Sequence, residues 1–180
     1  KIAAGEVLDV SNVLANFEQE ALLCVRPSSE VPDWGGPGAI LNIGMNENSY
    51  LKLCETLGQE AASKIYFRFV HAYSIHVARL DPEIFDHIEG HGKLALDAAL
   101  TAYEEETEDA FPQEKSVQLS EVLRSMARAW EGTTARLLRQ AKGAPADAGL
   151  GLIVQKMTFG IGRGECGAGV IQLVNGDTGV

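Results

Sequence analysis

Apolar residues recur along this chain in two rhythms. Near the start, Val7, Val10, Leu14 and Phe17 fall at steps of three and four, which predicts a helix over 6–18. An unbroken run follows, Ala21-Leu22-Leu23-Cys24-Val25, closed by Arg26-Pro27. A run of this length ending at a turn signal predicts a buried strand over 21–26, with Arg26 at its C-terminal end. Residues 28–38 contain Pro32, Pro37 and three glycines and predict a loop. The stretch 39–44 is apolar again, and Asn46 is suited to cap the next helix.

Helical spacing then dominates. Ile65, Phe69, Tyr73 and Val77 at steps of four predict a helix over 61–79, with Tyr66, Val70 and Ile75 widening its apolar stripe. Asp81-Pro82-Glu83 has proline in a first turn and marks another helix start. A helix over 93–106 ends in Glu104-Glu105-Glu106, which reads as a solvated helix end, and Phe111-Pro112-Gln113 interrupts the pattern. Val117, Val122, Met126 and Trp130 mark a helix over 114–130, continued over 133–141. After a loop at 143–149, two apolar runs over 150–159 and 168–174 flank Gly160, Gly162, Gly164, Gly167 and Gly169. That arrangement predicts a β-hairpin. The fold class is therefore α+β: one domain over 1–180, with a helical block of four or more helices between a short strand and a C-terminal hairpin.

The glycines of the hairpin tip bear on function. Spaced every second or third residue, they let N–H groups turn toward one point and leave no Cβ in the way of a ligand. A phosphate-covering loop and a plain flexible tip both have this character.

Composition narrows the classes. A chain of 180 residues with 46% apolar content can build a real core. No apolar run approaches a membrane span. The opening Lys1-Ile2-Ala3-Ala4-Gly5-Glu6 lacks the apolar region of a secretory signal, and the absence of an initiator Met points to processing or to a segment of a longer protein. A net charge of −10 argues against nucleic acid and acidic membranes as partners. It leaves a nucleotide open, since a few local cations can bind phosphate. Cys24, Cys54 and Cys166 are odd in number and far apart. They read as reduced thiols of a cytoplasmic protein, not as a disulfide frame or zinc site.

Few side chains suggest other chemistry. His87 and His91 lie four apart and could share a helix face as metal pairs do, or be solvated surface residues; Gly90 and Gly92 weaken a helix there. Cys166 lies among glycines whose N–H groups could lower its pKa, but no base for a nucleophile is identifiable. Trp34 and Trp130 read as packing residues, Trp34 with the option of a cleft. Arg68 interrupts an apolar helix, and a buried arginine demands an anion, either a carboxylate or a phosphate.

Four segments together resemble the nucleotide-binding domain of pyruvate, phosphate dikinase and the related phosphoenolpyruvate synthases. They are Val25-Arg26-Pro27-Ser28-Ser29 with Gly35 and Ile40-Leu41-Asn42-Ile43-Gly44-Met45-Asn46; Tyr66-Phe67-Arg68-Phe69-Val70; Phe111-Pro112-Gln113 with Ala129-Trp130 and Arg139; and Val154-Gln155-Lys156-Met157-Thr158-Phe159-Gly160 with Gly167-Ala168-Gly169-Val170 and Asn175-Gly176-Asp177-Thr178-Gly179. The resemblance implies part of an ATP-grasp-like domain that binds ATP with Mg²⁺ in a cleft and passes phosphate to a histidine on a separate domain. It implies that Arg26 corresponds to a phosphate-contacting arginine, and Gly35 and Gly169 to glycines of two loops that close on the triphosphate. With Gly167 and Ala168 in the second loop and Arg68 as a further cation, these six are the candidate nucleotide-binding residues. Phosphoryl transfer needs such positioned cations and N–H donors more than covalent help.

The chain also departs from the family's pattern. Ala168 stands where the family has threonine, and Val174 where it usually has arginine. A family loop ending in a carboxylate is here Asp33-Trp34-Gly35-Gly36-Pro37-Gly38. The metal-binding carboxylates, the phosphohistidine and the remaining domains are expected outside Lys1–Val180. The alternative reading is a non-catalytic nucleotide-binding or interaction module derived from the same domain.

Overall fold

The computed structural model describes residues 8–88, 90–161, 165–167, 169, 171 and 173. The elements run α1 (Ser11–Leu14), β1 (Leu23–Ser28), a 3₁₀ turn (Pro32–Trp34), β2 (Ile40–Ile43), α2 (Glu47–Leu57), α3 (Gln59–Tyr73), a π turn (Ser74–Ala78), α4 (Glu83–Asp86), α5 (Lys93–Thr107), α6 (Lys115–Glu131), α7 (Thr133–Ala141) and β3 (Gly151–Lys156). The α+β class and the helical block are as expected.

Four boundaries differ, each for a local reason. The first helix is a single turn, and Val7 lies outside the described residues. Asn16 Nδ2 donates to the Asn12 carbonyl at 2.7 Å, offering the backbone an alternative to a continued ladder. The 61–79 helix changes to a π turn at Ser74, whose hydroxyl donates to the Val70 carbonyl at 2.7 Å, and stops at Arg79 with φ 63°. β1 reaches Ser28, two residues further than expected, so Arg26 lies within the strand and not at its end.

The fourth difference concerns the hairpin. β3 pairs antiparallel with β1, in continuous register from Leu23↔Lys156 to Ser28↔Gly151. The sheet order is β2-β1-β3. Ala168, Val170, Gln172 and Val174 of the expected second arm lie outside the described residues; Gly169, Ile171 and Leu173 are outside any strand, and the latter two are exposed.

The core forms where the sheet meets α3 and α6. Leu23, Val25, Ile40 and Ile43 face Phe69, Val70, Leu119 and Val122 in one buried cluster. Phe111, expected only as a helix breaker, is an aromatic hub. Its ring lies 6.1 Å from Tyr66, 5.6 Å from Phe69, 5.2 Å from Tyr73 and 5.1 Å from Tyr103, all in edge-on contacts. Burial raises the pKa of the Tyr66, Tyr73 and Tyr103 hydroxyls.

The β2–α2 turn is fixed by polar contacts. Asn46 Oδ1 accepts from Ser49 N at 2.9 Å, and Ser49 Oγ accepts from Asn46 N at 2.8 Å, so the expected cap is a full capping box. Gly44 has φ 99°, and a Cβ there would lie 2.6 Å from Lys115 Cε. Lys115 crosses this point to donate to the carbonyls of Gln19 and Ala21, and its burial lowers its pKa. Gln118, fully buried, accepts from Gly44 N at 2.7 Å and donates to the carbonyls of Met45 at 2.9 Å and Pro112 at 2.6 Å.

Replacing Gln118 with Met keeps most of the volume but leaves a buried N–H and two carbonyls unpaired. Urea unfolding should show a loss of about 2–4 kcal/mol. Phe111→Ala should cost about 3–5 kcal/mol through the cavity it opens, read from the same unfolding curves.

Candidate functional site

The candidate site begins where β1 outlasts β2. Val25 is opposite Ile40, the first residue of β2, so 26–28 are paired only with β3. Pro27 suits that position, because its missing N–H deprives no neighbour. The chain then turns through Ser29, whose hydroxyl donates to the Val31 carbonyl at 2.9 Å, and through the 3₁₀ turn to Gly35 and Gly36 at φ 75° and 152°. Between these segments lies an open pocket of about 360 Å³, lined by 27–29, 35–37 and Leu150. Its size is that of a small-molecule site.

Two kinds of anion-binding group border it. The Gly35 N–H ends the 3₁₀ turn, whose i→i+3 pattern uses it, while among the described residues no hydrogen bond uses the Gly36 N–H. Arg26 lies two residues before Ser28 on the same face of β1, and Ser28 lines the pocket. Arg26 is exposed and forms no ion pair among the described residues. On the same face, burial pushes the Cys24 thiol up while the Arg26 cation acts the other way, so Cys24 is not an activated nucleophile.

Behind the pocket is a buried arginine, but not the expected one. Arg68 is exposed on α3, lines no wall of the pocket and has no ion pair among the described residues, so it makes no demand for an anion. Arg139 on α7 is the buried one, at 6% exposure. Its guanidinium carbon lies 3.6 Å from the centroid of the Trp130 ring, and Nη1 donates to the Trp130 carbonyl at 2.7 Å. Trp130 Nε1 donates to the Ala148 carbonyl at 3.0 Å, and a Cβ on Gly36 would touch Cζ3 of the ring at 3.5 Å. Lys142 Nζ donates to the Asp33 carbonyl at 2.5 Å.

Of the other expected residues, Gly35 lines the pocket. Gly167 and Gly169 are exposed, do not line it, and have open space around them; Ala168 lies outside the described residues. Trp34 is half-buried and immediately precedes Gly35. His87 caps α4 and His91 precedes α5, so they share no helix face. His71 packs against Phe67 and Phe85, and burial lowers its pKa first, the neighbouring His76 second. Among the described residues no three His, Cys, Asp or Glu side chains converge to hold a metal ion, and no helix is long and apolar enough to cross a membrane.

Sequence reasoning missed the joint role of Trp130 and Arg139 and the contributions of 27–29 and Leu150. No pattern in the residues marks Arg139 in advance. On α7 Leu137 and Leu138 are exposed while Arg139 is buried, an inversion of the usual pattern. Because Arg68 is exposed and makes no ion pair among the described residues, Arg68→Ala should change thermal stability by no more than about 0.5 kcal/mol, measured by calorimetry.

No family model matches the chain. Curated pyruvate, phosphate dikinases are similar to it along nearly its whole length. The one from Rhizobium meliloti (strain 1021) is 29% identical over 185 residues, covering 93% of this chain and 21% of that protein. The one from Clostridium symbiosum is 28% identical over 181 residues, covering 90% and 21%. Pyruvate, phosphate dikinase 2 from Oryza sativa subsp. japonica is 26% identical over 184 residues, covering 93% and 21%. The chain thus spans about a fifth of the length of the curated relatives it matches. The resemblance read from its motifs is borne out: the chain is similar to pyruvate, phosphate dikinases along nearly its whole length.

Proposed function

We propose that the pocket beside β1 binds the phosphates of a nucleotide, ATP, as one part of the cleft of a longer phosphotransferase related to pyruvate, phosphate dikinase. The observation that carries this reading is the convergence of unspent donors on one pocket. The Gly36 N–H has no partner among the described residues, and the Arg26 side chain, without an ion pair there, stands two residues from Ser28 at the pocket wall. Such groups favour a charged phosphate oxygen over water, because they are held in place before the ligand arrives. In phosphoryl transfer they would stabilise charge on the transferring group.

The role proposed for this chain is phosphate binding. Gly167, Ala168, Gly169 and Arg68 enter it only as family-implied contributors. The acceptor, the metal ligands and the phosphohistidine belong, in this reading, to other domains. A second reading, a non-catalytic module descended from the same domain, draws on Ala168 and Val174 in place of the family's threonine and arginine.

Calorimetric titration with ATP and Mg²⁺ tests both. Arg26→Gln should weaken binding by about 1.5–3 kcal/mol, the size of a charge-assisted hydrogen bond. Equal affinity in the variant would place the nucleotide elsewhere, and no heat in the parent protein would favour the non-catalytic module.

A further inference from the structure

The pocket's walls come from distant parts of the chain, and one side chain borders both. The Gly35–Gly36 wall belongs to the loop after β1, while Leu150 leads into β3. Trp130, near the end of α6, lies beside the first, where a Cβ on Gly36 would be 3.5 Å from its Cζ3, and meets the second through its hydrogen bond to Ala148, two residues before Leu150. Lys142 adds a second tie, to Asp33 in the same loop.

We infer that Trp130, held by the stacked guanidinium of Arg139, is the positioning residue that sets the spacing of the pocket walls. A tryptophan alone on α6 could tilt. The Arg139 guanidinium lies against its ring and bonds back to its own carbonyl, fixing side chain and backbone together. Burying that cation without an ion pair among the described residues is costly. The two residues before it, Leu137 and Leu138, stand exposed while the cation is enclosed, the reverse of the usual arrangement. A local rule broken at such cost marks a place where geometry matters beyond stability. The role extends the nucleotide reading in its consequence, because donors fixed at the right spacing bind phosphate without an ordering penalty.

Hydrogen exchange followed by mass spectrometry, paired with ATP titration, separates this role from the nucleotide reading. Arg139→Lys keeps the charge and loses the planar stack. It should accelerate exchange about tenfold at the hydrogen-bonded amides within 33–38 and 144–150, those of Trp34, Ala144 and Ala148, with α3 and α5 unchanged. Trp130→Phe keeps the ring against Gly36 and loses the Nε1 donor, so only 144–150 should accelerate. ATP affinity should fall about tenfold in Arg139→Lys. Unchanged exchange in both segments, or a uniform rise across the chain, would overturn the positioning role. The local pattern in a protein that binds no ATP would uphold it and overturn the nucleotide reading instead.

Discussion

A single buried amide joins the parts of this fold. Gln118 is wholly enclosed, and its oxygen and nitrogen together make three hydrogen bonds, to the Gly44 N–H and to the carbonyls of Met45 and Pro112. Each partner is a backbone group in a turn, where no ladder could satisfy it. The amide therefore does the work of secondary structure between elements that cannot pair. It locks the first turns of α6 to the end of β2 and to the segment that presents Phe111 to the aromatic cluster. With those fixed, α6 is a rigid rod of 17 residues whose far end has a defined place.

That far end carries Trp130. Position along α6 thus couples a buried amide near its start to the pocket at its end, through a helix that bends little. The chain then reverses at Gly132, and α7 returns Arg139 over the indole ring. The guanidinium is the cation best suited to this place, since it is planar, weakly hydrated and able to stack. A lysine ammonium would keep more of its water. The buried charge is held by a π face and a carbonyl, an arrangement of contacts between neighbouring helices.

What could be read from the residues followed from periodicity and punctuation. The strand at Leu23, the capping role of Asn46, the helices 93–106, 114–130 and 133–141 and a strand within 150–159 rest on local signals. The failures came from tertiary choices. Whether β3 pairs with β1 or with a following strand is not encoded in its own pattern, because either partner suits alternating Leu152 and Val154. The buried-arginine argument was sound chemistry applied to Arg68, whose helix neighbours are apolar. Only the packing of α7 reveals Arg139 as the enclosed one. The pocket was half legible, through Arg26 and Gly35, because local motifs mark those residues. Leu150 and Ala148 reach it only through the fold.

The similarity to the dikinases can be divided by what each matched residue does. In Ile40-Leu41-Asn42-Ile43-Gly44-Met45-Asn46, Asn42 takes φ 65° within β2, Gly44 takes φ 99° beneath Lys115, and Asn46 caps α2. All three serve backbone geometry: two occupy the left-handed region that Asn and Gly tolerate best, and the third satisfies helix N–H groups. Phe111 serves the core. Likeness at these positions speaks for a shared scaffold and is silent about nucleotide. Arg26 and Gly35 are different in kind. The Arg26 side chain is exposed, without an ion pair among the described residues, and stands two residues before Ser28 of the pocket wall, and Gly35 lines the pocket itself. Groups that a fold does not spend on its own packing are those left available to a ligand, which is why the proposed phosphate binding rests on this pocket and not on the scaffold positions.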